Sequence, residues 1–195
     1  MITYSGRSVW PPNTLENGVP TDIGPSLEDI AVGLGRQSRF AGQTREFYTV
    51  LCHSLVCWQA AYELWPEDFG VRRVLLLHDG HESMISDVPT TWKNELTRAD
   101  EAELDRRIWA EFDLPELKAG YDLTARVKRI DSAALAAEAH VLGHAEAEKW
   151  WSMDRFGELE HRIMDLTQAQ LTAGNPVRYL QPESAIAAMR KVVDR

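Results

Sequence analysis

His53, the adjacent pair His78-Asp79, Glu82, Asp87, Lys93 and Asp131 are the residues whose types suit chemistry at one shared site. Imidazole nitrogens and carboxylate oxygens bind divalent cations such as Mn²⁺, Fe²⁺, Co²⁺, Ni²⁺ or Zn²⁺, and two of each fill four positions while leaving others to water. The His78-Asp79 dipeptide alone is a weak signal, because it arises by chance in many chains. Its surroundings strengthen it. It ends the apolar run Val74-Leu75-Leu76-Leu77, so a polar pair is presented at the edge of a core, where it needs partners. Glu82 follows three residues later and falls on the same side if a helix continues.

The segments that must carry these residues read as helices. Residues 1–25, with Pro11, Pro12, Pro20 and Pro25, read as an extended arm. A first helix starts at Ser26, with Asp29 three residues on in a capping arrangement and Leu27, Ile30, Ala31 and Leu34 as its apolar face; Gly33 and Gly35 end it. Residues 46–65 repeat Phe47, Val50, Leu51, Leu55, Trp58, Ala61 and Tyr62 at helical spacing, and Pro66 closes them. The run at 71–78 suits a buried strand or a buried helix by pattern, and its leucines and helical neighbours favour helix. Pro89 sits in a polar loop. Helices are then expected at 94–112, with Leu96, Ala99, Leu104, Ile108 and Phe112 inward, at 117–143, at 155–172 and at 182–193. Strand alternation and internal repeats are absent. The expected fold is all-α.

Composition sets the outer bounds. The 195 residues are enough for one domain with a full core, and 44% hydrophobic with 26% charged residues is the balance of a soluble globular protein. A formal charge of −9 argues against nucleic-acid binding, which gains affinity from Lys and Arg. It leaves room for a small phosphorylated ligand met by a metal and a few local cations. No apolar run has the length of a membrane span, and no signal peptide is expected. Cys52 and Cys57 imply reduced thiols in a cytoplasmic setting rather than a disulfide framework.

The stretch from Asp29 to Glu138 resembles the HD superfamily, in its YfbR-like and DatZ-like branch of 5′-deoxynucleotidases and deoxynucleoside triphosphate hydrolases. The matching features are Arg39-Phe40, the YTVLCHS segment that contains His53, the LHDGHE segment with His78, Asp79 and Glu82, the SDVPTTWK turn with Asp87, Trp92 and Lys93, and Asp131 followed by Leu135 and Glu138. The resemblance implies an HD-domain helical bundle over residues 1–195, with His53, His78, Asp79 and Asp131 holding one divalent metal ion (Mn, Co, Fe, Ni, Zn or Mg). It further implies Glu82 and Asp87 in catalysis and Arg39, Phe40, Lys93 and Trp92 in substrate binding. The implied substrate is a nucleotide, either a dNMP or a dNTP, and the implied assembly a homo-oligomer, dimer or hexamer, in the cytoplasm, or in a host's cytoplasm for a phage-encoded chain. A non-catalytic nucleotide-binding or scaffold protein, or a hydrolase of another phosphorylated nucleotide signal, are the alternatives. Phe40 stands where the monophosphatases carry Trp, and the gap from His53 to His78 is short, so the choice of substrate stays open.

Simpler readings compete at several positions. Asp122 is a rival late carboxylate to Asp131. His140 and His144, four apart, form a possible metal pair, with a packing or surface role favoured in the absence of an acid between them. His81 is expected behind the site or facing solvent. Cys52 and His53 diverge on a helix, which argues against a thiol nucleophile, and Cys57 is expected in the core. The charged run 95–107 reads as a solvated helix face or an oligomer contact.

Overall fold

The computed structural model describes residues 2–7, 9, 15–16, 19–20, 24–88, 92–115 and 122–193. Pro11 and Pro12 of the expected arm, Pro89 of the loop and Leu117 at the expected start of the long helix lie outside them. The fold is an all-α bundle, and it is organised around one helix that is buried on most of its faces. That helix, α2 (Val50–Leu64), begins where the Thr49 hydroxyl accepts from the Cys52 N–H at 3.3 Å. Every residue from Val50 to Trp58 is buried. Such a helix needs partners on all sides. They are α1 (Leu27–Arg36), α3 (Phe69–Leu77), α6 (Asp122–Val141) and α8 (Glu158–Thr172).

Helix α1 starts as expected. The Ser26 hydroxyl caps the Asp29 N–H, and Asp29 Oδ2 accepts from Ser26 N at 2.9 Å. Asp29 also accepts from Ser5 N and Ser5 Oγ at 2.7 and 2.8 Å, which ties the N-terminal residues to the helix start. The two glycines do not end α1. Gly33 and Gly35 lie inside it, at close approaches. A Cβ on Gly33 would stand 2.5 Å from Ser83 Cβ and 2.7 Å from Ser83 O, and one on Gly35 would stand 2.5 Å from Tyr179 O. The first contact seats α4 (Glu82–Ile85) on α1; the second seats the turn before α10 (Pro182–Val193), whose bounds match the sequence pattern. Gly33→Ala gains about 1 kcal/mol of helix propensity but forces backbone atoms of Ser83 to move, so a net loss of about 1–3 kcal/mol is expected. A lowered urea midpoint measures it; an unchanged one would show that α4 can slide freely.

The ambiguous run resolves as α3, capped by Asp68, whose carboxylate accepts from Val71 N at 3.1 Å. Two other expectations need correction. The predicted helix at 46–65 starts only at Val50, because residues before it are held extended: Ser38 and Thr49 form an isolated bridge, and Arg39 N donates to Tyr48 O at 2.9 Å. Phe47 is therefore exposed rather than inward. In α5 (Glu95–Glu111), capped by Asn94, Leu96 is 78% exposed and Ala99 is exposed too; the buried residues are Glu101, Leu104, Arg107 and Ile108. The stretch predicted as one helix at 155–172 is a 3-10 turn, Met153–Arg155, then α8 with Gly157 as N-cap. Short helices α7 (Ala147–Trp150) and α9 (Asn175–Arg178) link the larger ones, and Leu15–Glu16 pairs antiparallel with Val19–Pro20. Among the described residues no helix is long and apolar enough to cross a membrane.

Candidate metal centre

His53 occupies the first turn of α2 and is fully buried. Its Nδ1 lies 3.0 Å from both oxygens of Glu138, a buried residue of α6. His78, at the C-cap of α3, places Nδ1 2.8 Å from Leu75 O. A carboxylate and a carbonyl only accept, so both Nδ1 atoms carry a proton and each Nε2 is left to hold either a second proton or a metal ion. Those two Nε2 atoms face each other at 3.4 Å. Two nitrogens so placed call for positive charge between them, a proton in the metal-free protein or a cation when metal is bound.

The carboxylates close the figure. Asp79 Oδ2 and Asp131 Oδ1 are each 3.5 Å from His53 Nε2, and His78 Nε2 is 3.4 Å from Asp79 Oδ1 and 3.6 Å from Asp131 Oδ1. Ligands about 2.1 Å from one cation in tetrahedral array lie roughly 3.4 Å apart, the spacing found here. Electrostatics point the same way. Burial depresses the His78 imidazole, but Asp79 and Asp131 overcome it and lift the pKa to about 10. Burial and Arg39 depress His53, and Cys57, Glu138 and Asp131 raise it well above the ordinary value. Asp79 is held below the usual carboxylate range against its burial by His78, His53 and Arg39; Asp131 is held low against burial by the two imidazoles. The cluster stabilises positive charge at its centre.

Cys57, one turn after His53, extends the group: ligand atoms of His53, Cys57 and His78 lie within 4.8 Å of one another, and such a cluster can hold a metal ion. The Cys57 sulfur is nearly equidistant from His53 Nε2 and Nδ1, at 3.6 and 3.8 Å, so it lies beside the ring rather than beyond Nε2. The carboxylates are better placed to share a cation with the two Nε2 atoms. Cys52 sits in the core, where burial, opposed only in part by bonds to Thr49, pushes its thiol pKa up to about 12.

A cleft of 570 Å³ opens above Asp79 and Asp131. Arg39, Phe40, Glu82, Asp87 and Lys93 share its wall. Arg39 reaches Glu138 at 3.4 Å and Asp79 at 3.8 Å, and its Nε has no partner among the described residues. The turn that aims it inward holds Phe40 and Ala41 at φ of 54° and 51°, left-handed values that cost non-glycine residues about 1 kcal/mol or more each. Glu82 is buried, with Oε2 unpartnered among the described residues. Lys93 pairs with Glu101 at 2.8 Å. Trp92 is not brought into the cleft; it is 81% exposed. Asp122 is exposed and pairs with Arg126, so Asp131 is the late carboxylate that meets the imidazoles.

Comparison with known proteins finds two uncharacterized bacterial relatives. YfdR of Escherichia coli K12 is 32% identical over 126 residues, 64% of this chain and 65% of its own, so the chain spans just under two thirds of that protein. RCAP_rcc00048 of Rhodobacter capsulatus is 32% identical over 180 residues, covering 87% of this chain and 84% of its own. The chain belongs to the family of the Rhodobacter protein. No protein-family model matches the sequence.

In this family member the sequence left part of the cleft unseen. His144, Glu146, Trp150 and Trp151 line it. The one visible signal was the aromatic pair just beyond a long amphipathic segment. His140 and His144 do not form a metal pair. His140 Nε2 donates to Trp151 O and its Nδ1 is 3.4 Å from Glu148, while the His144 ring packs on Phe40 at 5.3 Å. His81 is buried and bonds Asp105 at 2.8 Å.

Burial, with Asp79 and Asp87 nearby, pushes the Glu82 pKa up to about 8, against the pull of Arg39 and His81. Asp87 is raised as well, by burial first, opposed by Arg39 and reinforced by Asp79. The folded form thus prefers protonated Glu82. Its contribution to stability is complete below the ordinary value of 4.5 and is lost as pH rises through about 8. In metal-free protein, Glu82→Gln is expected to gain stability relative to the parent between pH 5 and pH 9, read by urea unfolding. Parallel pH curves would rule out the raised pKa.

Proposed function

We propose that this protein is a metal-dependent phosphohydrolase of the HD superfamily that acts on (deoxy)nucleotides. The observation that carries the reading is the convergence of His53, His78, Asp79 and Asp131 at 3.4–3.6 Å spacing beside a cleft with an inward-facing arginine. These four residues would hold one divalent cation. Bound there, it supplies a Lewis acid toward a phosphoryl oxygen and makes water acidic enough to lose a proton near neutral pH. Arg39 is suited to grip two phosphate oxygens with its planar fork. Glu82, buried on the cleft wall, takes the proton of the attacking water in its ionised form. Asp87 holds a sugar hydroxyl or shares that proton. Lys93, tied to Glu101, sets charge at the cleft rim. No protein nucleophile is required, because phosphoryl transfer depends mostly on positioning and charge.

A monophosphate substrate would give nucleoside and inorganic phosphate; a triphosphate would give nucleoside and tripolyphosphate. The HD resemblance supports the deoxynucleotide class, a homo-oligomeric assembly and a cytoplasmic setting. Purified protein supplied with Mn²⁺, Co²⁺ or Mg²⁺ and assayed by HPLC against dNMPs and dNTPs tests the reading. Metal-dependent release of nucleoside is expected. Turnover that survives EDTA would sink the metal mechanism.

A further inference from the structure

We infer that Trp150 and Trp151, with the Phe40–His144 ring pair, form the seat of the nucleobase. The inference rests on the nucleotide-hydrolase reading and adds to it residues from a segment without any family motif. All four rings line the cavity that also holds Asp79, Glu82 and Asp131. With phosphate held at Arg39 and the His/Asp cluster, the rest of the molecule lies along the remaining wall, where these four rings stand beside Val88 and Leu135 and the charged Asp87, Lys93 and Glu146. Trp150 leaves 64% of its surface in solvent, although burying an indole is strongly favourable. An exposed indole held in place beside an anion site is what a base needs, since every base has a π-face.

The ridge is held by polar contacts. Glu146 Oε2 accepts from Trp150 Nε1 at 3.2 Å and from Lys149 Nζ at 2.7 Å. Trp151 N donates to Ala147 O at 2.8 Å, and its carbonyl accepts from His140, whose ring meets Phe156 edge-on at 5.1 Å. The two indoles lie 6.5 Å apart at 39°, and Phe40 and His144 lie 5.3 Å apart at 43°. Both pairs are tilted rather than stacked face to face, with Lys149 Nζ 5.9 Å from the Trp150 ring centre and the Arg39 guanidinium 5.5 Å from that of Phe40.

The test compares the better substrate of dAMP and dATP with 2-deoxyribose 5-phosphate, which lacks the base. Trp150→Ala and Trp151→Ala, each checked by circular dichroism, are expected to raise the nucleotide KM about 5- to 150-fold and to lower the nucleotide-over-sugar-phosphate preference in kcat/KM by the same factor. Trp150→Phe, which keeps a π-face, restores most of both. An unchanged nucleotide KM in the double alanine variant overturns the platform and leaves the hydrolase reading standing. Absence of turnover on every ester overturns the hydrolase reading; equilibrium dialysis of dAMP then decides the platform, with weaker binding by the double variant supporting it and equal binding overturning it.

Discussion

Replacing His78 or Asp79 with alanine is expected to lower nucleotide hydrolysis on the order of a thousand-fold and to abolish tight metal binding while the bundle stays folded. The size of the effect follows from geometry. His78 supplies one of two Nε2 atoms that stand 3.4 Å apart, and Asp79 is within 3.5 Å of both imidazoles. Neither variant leaves a cation shared by four protein atoms. Folding survives because His78 sits at the end of α3 and bonds only a backbone carbonyl with Nδ1. In the metal-free parent Asp79 and Asp131 hold His78, against its burial, as an imidazolium up to about pH 10, so metal-free His78→Ala is expected to show a modestly lowered urea midpoint at neutral pH, a deficit that closes as pH rises through about 10. Bound metal stabilises the parent by about 2.7 kcal/mol at a hundred times Kd, and that increment is lost in the variant. Elemental analysis of the purified variants, unfolding with and without metal, and turnover of dAMP and dATP give three independent readings. Full activity in His78→Ala would remove the cluster from the reaction.

The parts of this fold that were legible in the sequence are those set by local chemistry. Ser26 and Asp29 announce α1, Pro182 opens α10, and the leucines before His78 bury as a helix. Contacts between distant segments were not legible. Gly33 and Gly35 read as stop signals because glycine usually ends helices, yet here each is the point where another backbone presses on α1. Leu96 fits an inward helical face by period alone, but none of the described residues covers it. The site shows the same division. The types and order of the residues that meet at the cluster can be read along the chain. The partner of each histidine is set by tertiary contact, as is the aromatic wall at Trp150 and Trp151.

Glu138 was visible only as the end of a motif, and it carries the second large expected effect. Its carboxylate is fully buried, 3.0 Å from His53 Nδ1 and 3.4 Å from an Arg39 nitrogen. It therefore has two tasks. It fixes the His53 tautomer so that Nε2 offers a lone pair, and it balances the charge of a buried guanidinium. Glu138→Leu leaves the buried guanidinium with only the more distant Asp79, at 3.8 Å, and a buried N–H unanswered, so a loss of about 3–5 kcal/mol in urea unfolding is expected. Glu138→Gln keeps the shape and can still accept from His53, but a neutral amide makes the imidazole less basic and turns an N–H₂ toward Arg39. Metal affinity in that variant is expected to fall about 10- to 100-fold, measured by competition with a chelator, with a smaller stability cost of about 1–3 kcal/mol. The two variants divide the tasks, since glutamine removes the charge but keeps an acceptor for His53, whereas leucine removes both. If Glu138→Gln binds metal as tightly as the parent, an accepting oxygen at His53 Nδ1 is enough to orient the ring, and the negative charge of the carboxylate serves only Arg39.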